Sequence, residues 1–178
     1  NSLHYINDTV INVKNSTRIA LIGCGNIGVV NAEAVRSSDG AKLMAVMDID
    51  IDLARKTGIK FDVKYTNNYE AILTDNQIDA LLISTPPSSH ESIAIQAIQA
   101  GKHIIIEKPL SNTLASAISI IKAAKNKQTV LRTFYSIRYD SVIQLSKWLI
   151  DNDAIGQLMG ISVELHLYRS LDYWYEGS

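Results

Sequence analysis

Short apolar runs alternate along the chain with stretches in which apolar residues recur at helical spacing. The runs "RIALIG", "AKLMAVMD", "IDALLIST" and "KHIIIE" end in a glycine, an acid or a hydroxyl-bearing pair. Between them, "NIGVVNAEAVRSS" places Ile27, Val30, Ala34 and Val35 at helical spacing, and "DIDLARKTG" reads as a helix closed by Gly58. A weaker strand in "DVKYTN" and a short helix in "NYEAILTDN" come next. "HESIAIQAIQAG" is a helix that Gly101 ends, "NTLASAISIIKAAKNK" follows the fourth run, and "QTVLRTF" is a further strand. Apolar runs bounded by turn signals and separated by amphipathic helices predict parallel strands covered on both faces. Strand–helix alternation of this kind predicts an α/β fold with an open, doubly wound sheet.

The pattern changes after Phe134. "YDSVIQLSKWLIDNDAIG" is an amphipathic helix, with Val142, Leu145, Leu149 and Ile150 at helical spacing and Gly156 near its end. "QLMGISVELHLYRS" then alternates Ile161, Val163, Leu165 and Leu167 against Ser162, Glu164, His166 and Tyr168, the period of a half-buried strand. A strand with one wet face belongs to an antiparallel sheet. The expected organisation is an extension or added edge strand over residues 1–17 and a doubly wound domain over 18–134. Residues 135–178 supply a linking helix and the first strand of an α+β antiparallel-sheet domain that has barely begun at Ser178.

Chemistry enters at the end of the first run. "GCGNIG" puts Gly23, Gly25 and Gly28 in G-x-G-x-x-G spacing, with Asn26 and Ile27 between, directly after a strand and opening a helix. The first glycine permits the tight turn, the second lets backbone approach a pyrophosphate, and the third lets helix and strand pack closely. Amides at that helix start face the phosphates, and the helix dipole adds positive potential. Asp48, 20 positions after Gly28, ends the second run, where a carboxylate accepts hydrogen bonds from ribose hydroxyls. It would repel a 2′-phosphate, so NAD is expected over NADP. Asp50 is read as the start of the next helix, and Cys24 as a small residue fitting under the loop backbone.

Ligands of doubly wound sheets lie across the carboxyl ends of the strands. Ser84, Thr85 and Pro86 stand at one such end with His90 just behind, and Glu107, Lys108 and Pro109 at another. His90 is read as a structural or cofactor-edge contact, and His103 as a packed strand residue. Glu107 and Lys108 are either ligand-facing groups or a surface ion pair.

Composition narrows the class. Seventeen basic residues nearly balance eighteen acidic ones, for a net charge of −1, which excludes the basic footprint of a nucleic-acid binder. No apolar run reaches membrane-spanning length, and the N-terminal stretch lacks the pattern of a signal peptide. One cysteine excludes an internal disulfide and a multi-cysteine metal cage, and no metal is expected. A reducing, cytoplasmic compartment is expected.

Taken together, the glycine loop, Asp48, "STPPSSH…AIQAGKHIIIEKPLS" and "YSIRYDSVIQLSKWLIDNDAIGQLMGI" resemble the Gfo/Idh/MocA oxidoreductases, from about Arg18 to Tyr168. The resemblance implies a Rossmann-type NAD-binding domain and hydride transfer to or from a secondary alcohol of a sugar, cyclitol or sugar nucleotide. It implies that Glu107 and Lys108 lie beside the nicotinamide, with Lys108 as catalytic residue reaching the substrate oxygen, and that Pro109 fixes the turn, through a cis bond. Arg138 corresponds to an arginine near the cofactor, although Ser136 stands where the family has asparagine. Tyr168, Arg169, Tyr173, Trp174 and Tyr175 are candidate sugar or nucleotide contacts, or interface aromatics. A homo-oligomer is implied for the full-length protein. A non-catalytic NAD(H)-binding sensor and an adenosylmethionine-dependent methyltransferase are the rival readings.

Overall fold

The computed structural model describes residues 16–164, 166 and 168. Nearly all of the expected extension, and the candidate aromatic contacts from Arg169 onward, lie outside the described residues. The described chain divides into two compact units between Thr133 and Phe134.

In the first unit, strands β1 (Thr17–Ile22), β2 (Ala41–Met47), β3 (Lys64–Thr66), β4 (Ala80–Ile83), β5 (His103–Glu107) and β6 (Leu131–Phe134) form one sheet. Helices α1 (Asn26–Arg36), α2 (Ile51–Phe61), α3 (Tyr69–Thr74), α4 (His90–Gln99) and α5 (Leu114–Lys127) connect them. The strand order is β3-β2-β1-β4-β5-β6, with β1 paired in parallel to both β2 and β4. The crossover between β1 and β4 is the switch point at which a doubly wound sheet opens its ligand crevice.

Continuous apolar runs are required because both faces are covered. Ala20, Ile22, Leu81, Ile83, Ile104 and Ile106 pack with residues of α3, α4 and α5 on one face. Ile19, Leu21, Leu43, Val46, Ala80 and Leu82 pack with α1 and α2 on the other. The helix ends follow local chemistry. Asp50, Asn68 and Thr113 accept hydrogen bonds from the opening amides of α2, α3 and α5. Gly101, at φ +78°, closes α4, its amide donating to Ile98 while that of Lys102 donates to Ala97.

Three local expectations are corrected. Gly58 does not end α2 but lies buried inside it, because a Cβ there would sit 2.8 Å from the Tyr65 Cβ. The helix stops at Asp62, in the left-handed conformation. His103 is exposed rather than packed, and its Nδ1 accepts the Val130 amide at 3.1 Å. Residues 157–164 form no strand, and Ile161 and Val163 are exposed. Alternation produces a half-buried strand only where a second strand and a covering layer exist, and the described residues of the second unit, taken by itself, supply neither.

The second unit, taken by itself, holds the turn Ser136–Tyr139 and helix α6 (Ser141–Asp151). Asp140 caps α6 and Lys147 pairs with Asp151 at 2.7 Å. No residue of α6 is buried among the described residues.

At the amino-terminal edge of the sheet, the Arg18 guanidinium clasps Asp79 through Nε at 3.0 Å and Nη2 at 2.6 Å, while the Arg18 amide donates to the same carboxylate at 2.9 Å. These bonds hold the Asp79 carboxyl at about 2, below its ordinary value. A depressed acid stabilises the fold above its unfolded pKa, and that contribution disappears as pH falls through the folded value. Both side chains are over a third exposed, at 39% and 35%, so solvent screening keeps the contribution small. Asp79→Asn is therefore expected to flatten the decline in urea midpoint between about pH 4 and pH 2. Parallel wild-type and variant curves would remove this role.

Candidate active site

The site begins where β1 turns into α1. Gly23 has φ +95°, and a Cβ on it would meet the Ser84 backbone at 2.8 Å. A Cβ on Gly28 would stand 2.0 Å from the Gly23 oxygen. Both positions are closed to any side chain by the protein itself. Gly25 differs: nothing lies within 4 Å of a Cβ placed there. Its freedom faces outward, where a ligand would approach.

Gly25 is also the N-cap of α1, with no side-chain cap and no acid in the first turn. Most of the other described α-helices have a side-chain cap on their opening amides. Asp50, Asn68, Thr113 and Asp140 cap four of them, and α4 is entered from the 3₁₀ turn Pro87–Ser89. The α1 amides of Asn26, Ile27 and Gly28 thus have no side-chain acceptor, and Asn26 and Ile27 are exposed. This is the chemistry of an anion cradle.

Asp48 borders it after β2. One carboxylate oxygen accepts the Cys24 amide at 2.7 Å and the other accepts the Asp50 amide at 2.9 Å. The half-buried carboxylate braces the glycine loop and keeps further lone pairs for a ligand. Asp50 is the expected helix start. Cys24 is buried, and that burial pushes its thiol up to about 11, so it stays neutral and inert near neutral pH.

The ends of β4 and β5 complete the rim. The Ser84 amide donates to Ile22 at 2.8 Å, fastening this end to β1. Asn31, on the inner face of α1 and 4% exposed, donates to Ser84 Oγ at 3.0 Å and to Glu107 Oε1 at 2.9 Å. Sequence reasoning missed Asn31; the available signal was a polar residue among Gly28, Ala32 and Val35 on a buried helix face. The other Glu107 oxygen accepts the Lys108 amide at 3.1 Å. Lys108 is exposed, and no carboxylate pairs with it among the described residues. The surface ion pair considered for Glu107 and Lys108 is thus not formed. The Lys108–Pro109 bond is cis.

Thr85 and Pro86 lie on the loop leaving β4, with Pro86 exposed and Thr85 half-buried. Of the two readings of His90, structural or cofactor-edge, the geometry matches the structural one. It is fully buried, its Nε2 facing the Thr85 oxygen at 2.9 Å and its Nδ1 the Pro109 and Leu110 oxygens at 3.1 and 3.3 Å. Both ring nitrogens are occupied by backbone, so His90 joins the two rim loops instead of touching a ligand. Arg138 lies exposed in the second unit, where its carbonyl accepts the Gln144 side-chain amide.

Residues 17–135 match the family model GFO_IDH_MocA, described as an oxidoreductase family with an NAD-binding Rossmann fold. The chain belongs to the Gfo/Idh/MocA family. Among Gfo/Idh/MocA-like relatives, a myo-inositol 2-dehydrogenase of Thermotoga maritima is 32% identical over 142 residues, 79% of this chain and 42% of that protein. A crystal structure of myo-inositol 2-dehydrogenase from Lactobacillus plantarum superposes with TM-score 0.73 at 30% identity, covering 80% of this chain and 43% of that one. The structure of GenD2 from gentamicin A biosynthesis in complex with NAD gives TM-score 0.75 at 26% identity, over 80% of this chain and 41% of GenD2. The chain therefore spans less than half the length of these relatives. The residues present fit the cofactor of a Gfo/Idh/MocA Rossmann domain: open space at Gly25, uncapped amides behind it, and an acid at the end of β2. No described helix is long and apolar enough to cross a membrane.

Proposed function

We propose that this chain forms the cofactor-binding part of an NAD-dependent oxidoreductase acting on a secondary alcohol of a sugar, cyclitol or sugar nucleotide. The observation that carries the reading is one rim bearing both an anion cradle open at Gly25 and an unpaired ammonium at Lys108. A nicotinamide dinucleotide, when bound, supplies a hydride acceptor or donor. Asn26, Ile27 and Gly28 hold the pyrophosphate on backbone amides, Gly23 and Gly25 shape the loop that lets it approach, and Asp48 accepts from the ribose hydroxyls. Ser84, Thr85, Pro86 and Glu107 form the wall beneath the far half of the cofactor, and Arg138 is a further proposed cofactor contact by resemblance.

Lys108 is the catalytic residue of this proposal. Its ammonium donates to the reacting oxygen of the substrate, stabilises negative charge there and holds or releases the proton. The inositol dehydrogenases among the relatives support a polyol substrate and favour an enzyme over a non-catalytic sensor. The same reading includes residues 18–134 as the dinucleotide domain, 135–178 as the start of a substrate and oligomerisation domain, and a cytoplasmic homo-oligomer.

The test separates charge from bracing. Asp48→Asn keeps an oxygen for the Cys24 amide but removes the charge that repels a 2′-phosphate. Titration with NADH and NADPH, followed by nicotinamide fluorescence, should show the preference for NADH falling by about tenfold. An unchanged preference in the folded variant removes the ribose role, and absence of NADH binding by the wild type removes the proposal.

A further inference from the structure

We infer that Asn31 is a positioning residue for the rim: it fastens the Glu107 carboxylate to α1 and thereby keeps the neighbouring Lys108 ammonium unpaired. This rests on the proposed role of Lys108, but its structural half is independent of that role. An asparagine side chain has two N–H donors, and Asn31 spends one on Ser84 Oγ and one on Glu107 Oε1. The bond to a carboxylate is charge-assisted and the stronger of the two kinds. Glu107 Oε2 is taken by the Lys108 amide. Both oxygens of the acid nearest in sequence to Lys108 are thus committed to neutral donors, one of them on a helix side chain that is 4% exposed and tightly packed.

The alternative arrangement is easily reached. Glu107 is half-buried and Lys108 exposed, so the carboxylate has room to turn outward once its anchor is lost. The nearest cation along the chain is then Lys108, and a paired ammonium offers fewer donors to a substrate oxygen. Asn31 also reaches Ser84, so a single amide links α1, the end of β4 and the end of β5. No other described side chain hydrogen-bonds across these three elements at the rim.

The experiment measures the reactivity of the Lys108 amine in this chain, by acetylation with an N-hydroxysuccinimide ester and peptide mass spectrometry, with Lys122 as internal reference. Asn31→Leu keeps the approximate size and removes both donors. It should slow Lys108 acetylation by about two- to fivefold, the range of an exposed ion pair, and Asn31→Leu combined with Glu107→Gln should restore the wild-type rate. Glu107→Gln alone should leave Lys108 acetylation within about twofold of wild type, because the carboxylate is already held away. This arm decides the matter even where Asn31→Leu does not fold. A Glu107→Gln rate well above wild type, or an unaltered rate in folded Asn31→Leu, overturns the inference. In the full-length protein, Asn31→Leu should lower kcat by about tenfold with the KM for NADH within twofold, and Asn31→His, which retains an N–H donor, should recover part of it. Loss of NADH affinity instead would mark Asn31 as merely structural. A wild type without turnover would remove the functional reading, while the acetylation arms still judge Asn31.

Discussion

Lys108→Ala in the full-length protein is expected to lower kcat by about 10²- to 10⁴-fold, the range for loss of a positioned acid or base. The affinity for NADH should change by less than about threefold, since the pyrophosphate cradle and Asp48 stand on other strands. The contrast follows from geometry. Lys108 is exposed and unpaired among the described residues, whereas Glu107 beside it is tied to Asn31 and to the Lys108 amide. Lys108→Arg should recover little, because a planar guanidinium replaces a compact point charge that also releases its proton. Steady-state kinetics on a polyol substrate checks both variants, and a wild-type kcat in Lys108→Ala would end the case for Lys108.

Gly25→Val should raise the dissociation constant for NADH by at least about 100-fold, equivalent to about 2.7 kcal/mol, while leaving the thermal midpoint nearly unchanged. The two halves of this expectation come from one fact: the space beside Gly25 contains no protein atom within 4 Å. A branched side chain there strains nothing in the chain but stands where a pyrophosphate must approach the α1 amides. Gly28→Val is the matching control. Its Cβ would overlap the Gly23 oxygen at 2.0 Å, so the fold itself should suffer. Calorimetric titration beside thermal melts reads both quantities, and a Gly25→Val protein that binds NADH like the wild type would remove the cradle assignment.

Much of this architecture was legible because the responsible information is local. Apolar runs, cap residues and glycine spacing act within a few positions, so the alternation of strands and helices, the Asp50 cap and the Gly101 stop could be anticipated from β1 to α5. The three loop glycines were legible with their separate reasons, because the spacing assigns each its place in the turn. What the spacing does not announce is the partner: Gly23 packs against Ser84, whereas Gly28 packs against the Gly23 oxygen. Asn31 escaped notice because its partner Glu107 is 76 positions away. His90 was read as either structural or a cofactor-edge contact, and the sequence could not choose, since the three carbonyls around it are backbone atoms that no residue type announces. The alternation after Leu158 was real as a pattern, yet a pattern of sides has meaning only beside a second strand.

The ion pair of Arg18 with Asp79, the buried Lys102 ammonium donating to Asp75 and Ile78, and the contact of His103 with Val130 all lie at the amino ends of the strands. The glycine loop, Asp48, Ser84, Glu107 and Lys108 all lie at the carboxyl ends. The ties of the amino ends and the groups proposed to meet the cofactor thus lie at opposite poles of the same sheet. Sequence drift can strengthen or weaken the one without disturbing the other, and a lineage that changes its substrate need not rebuild its foundations.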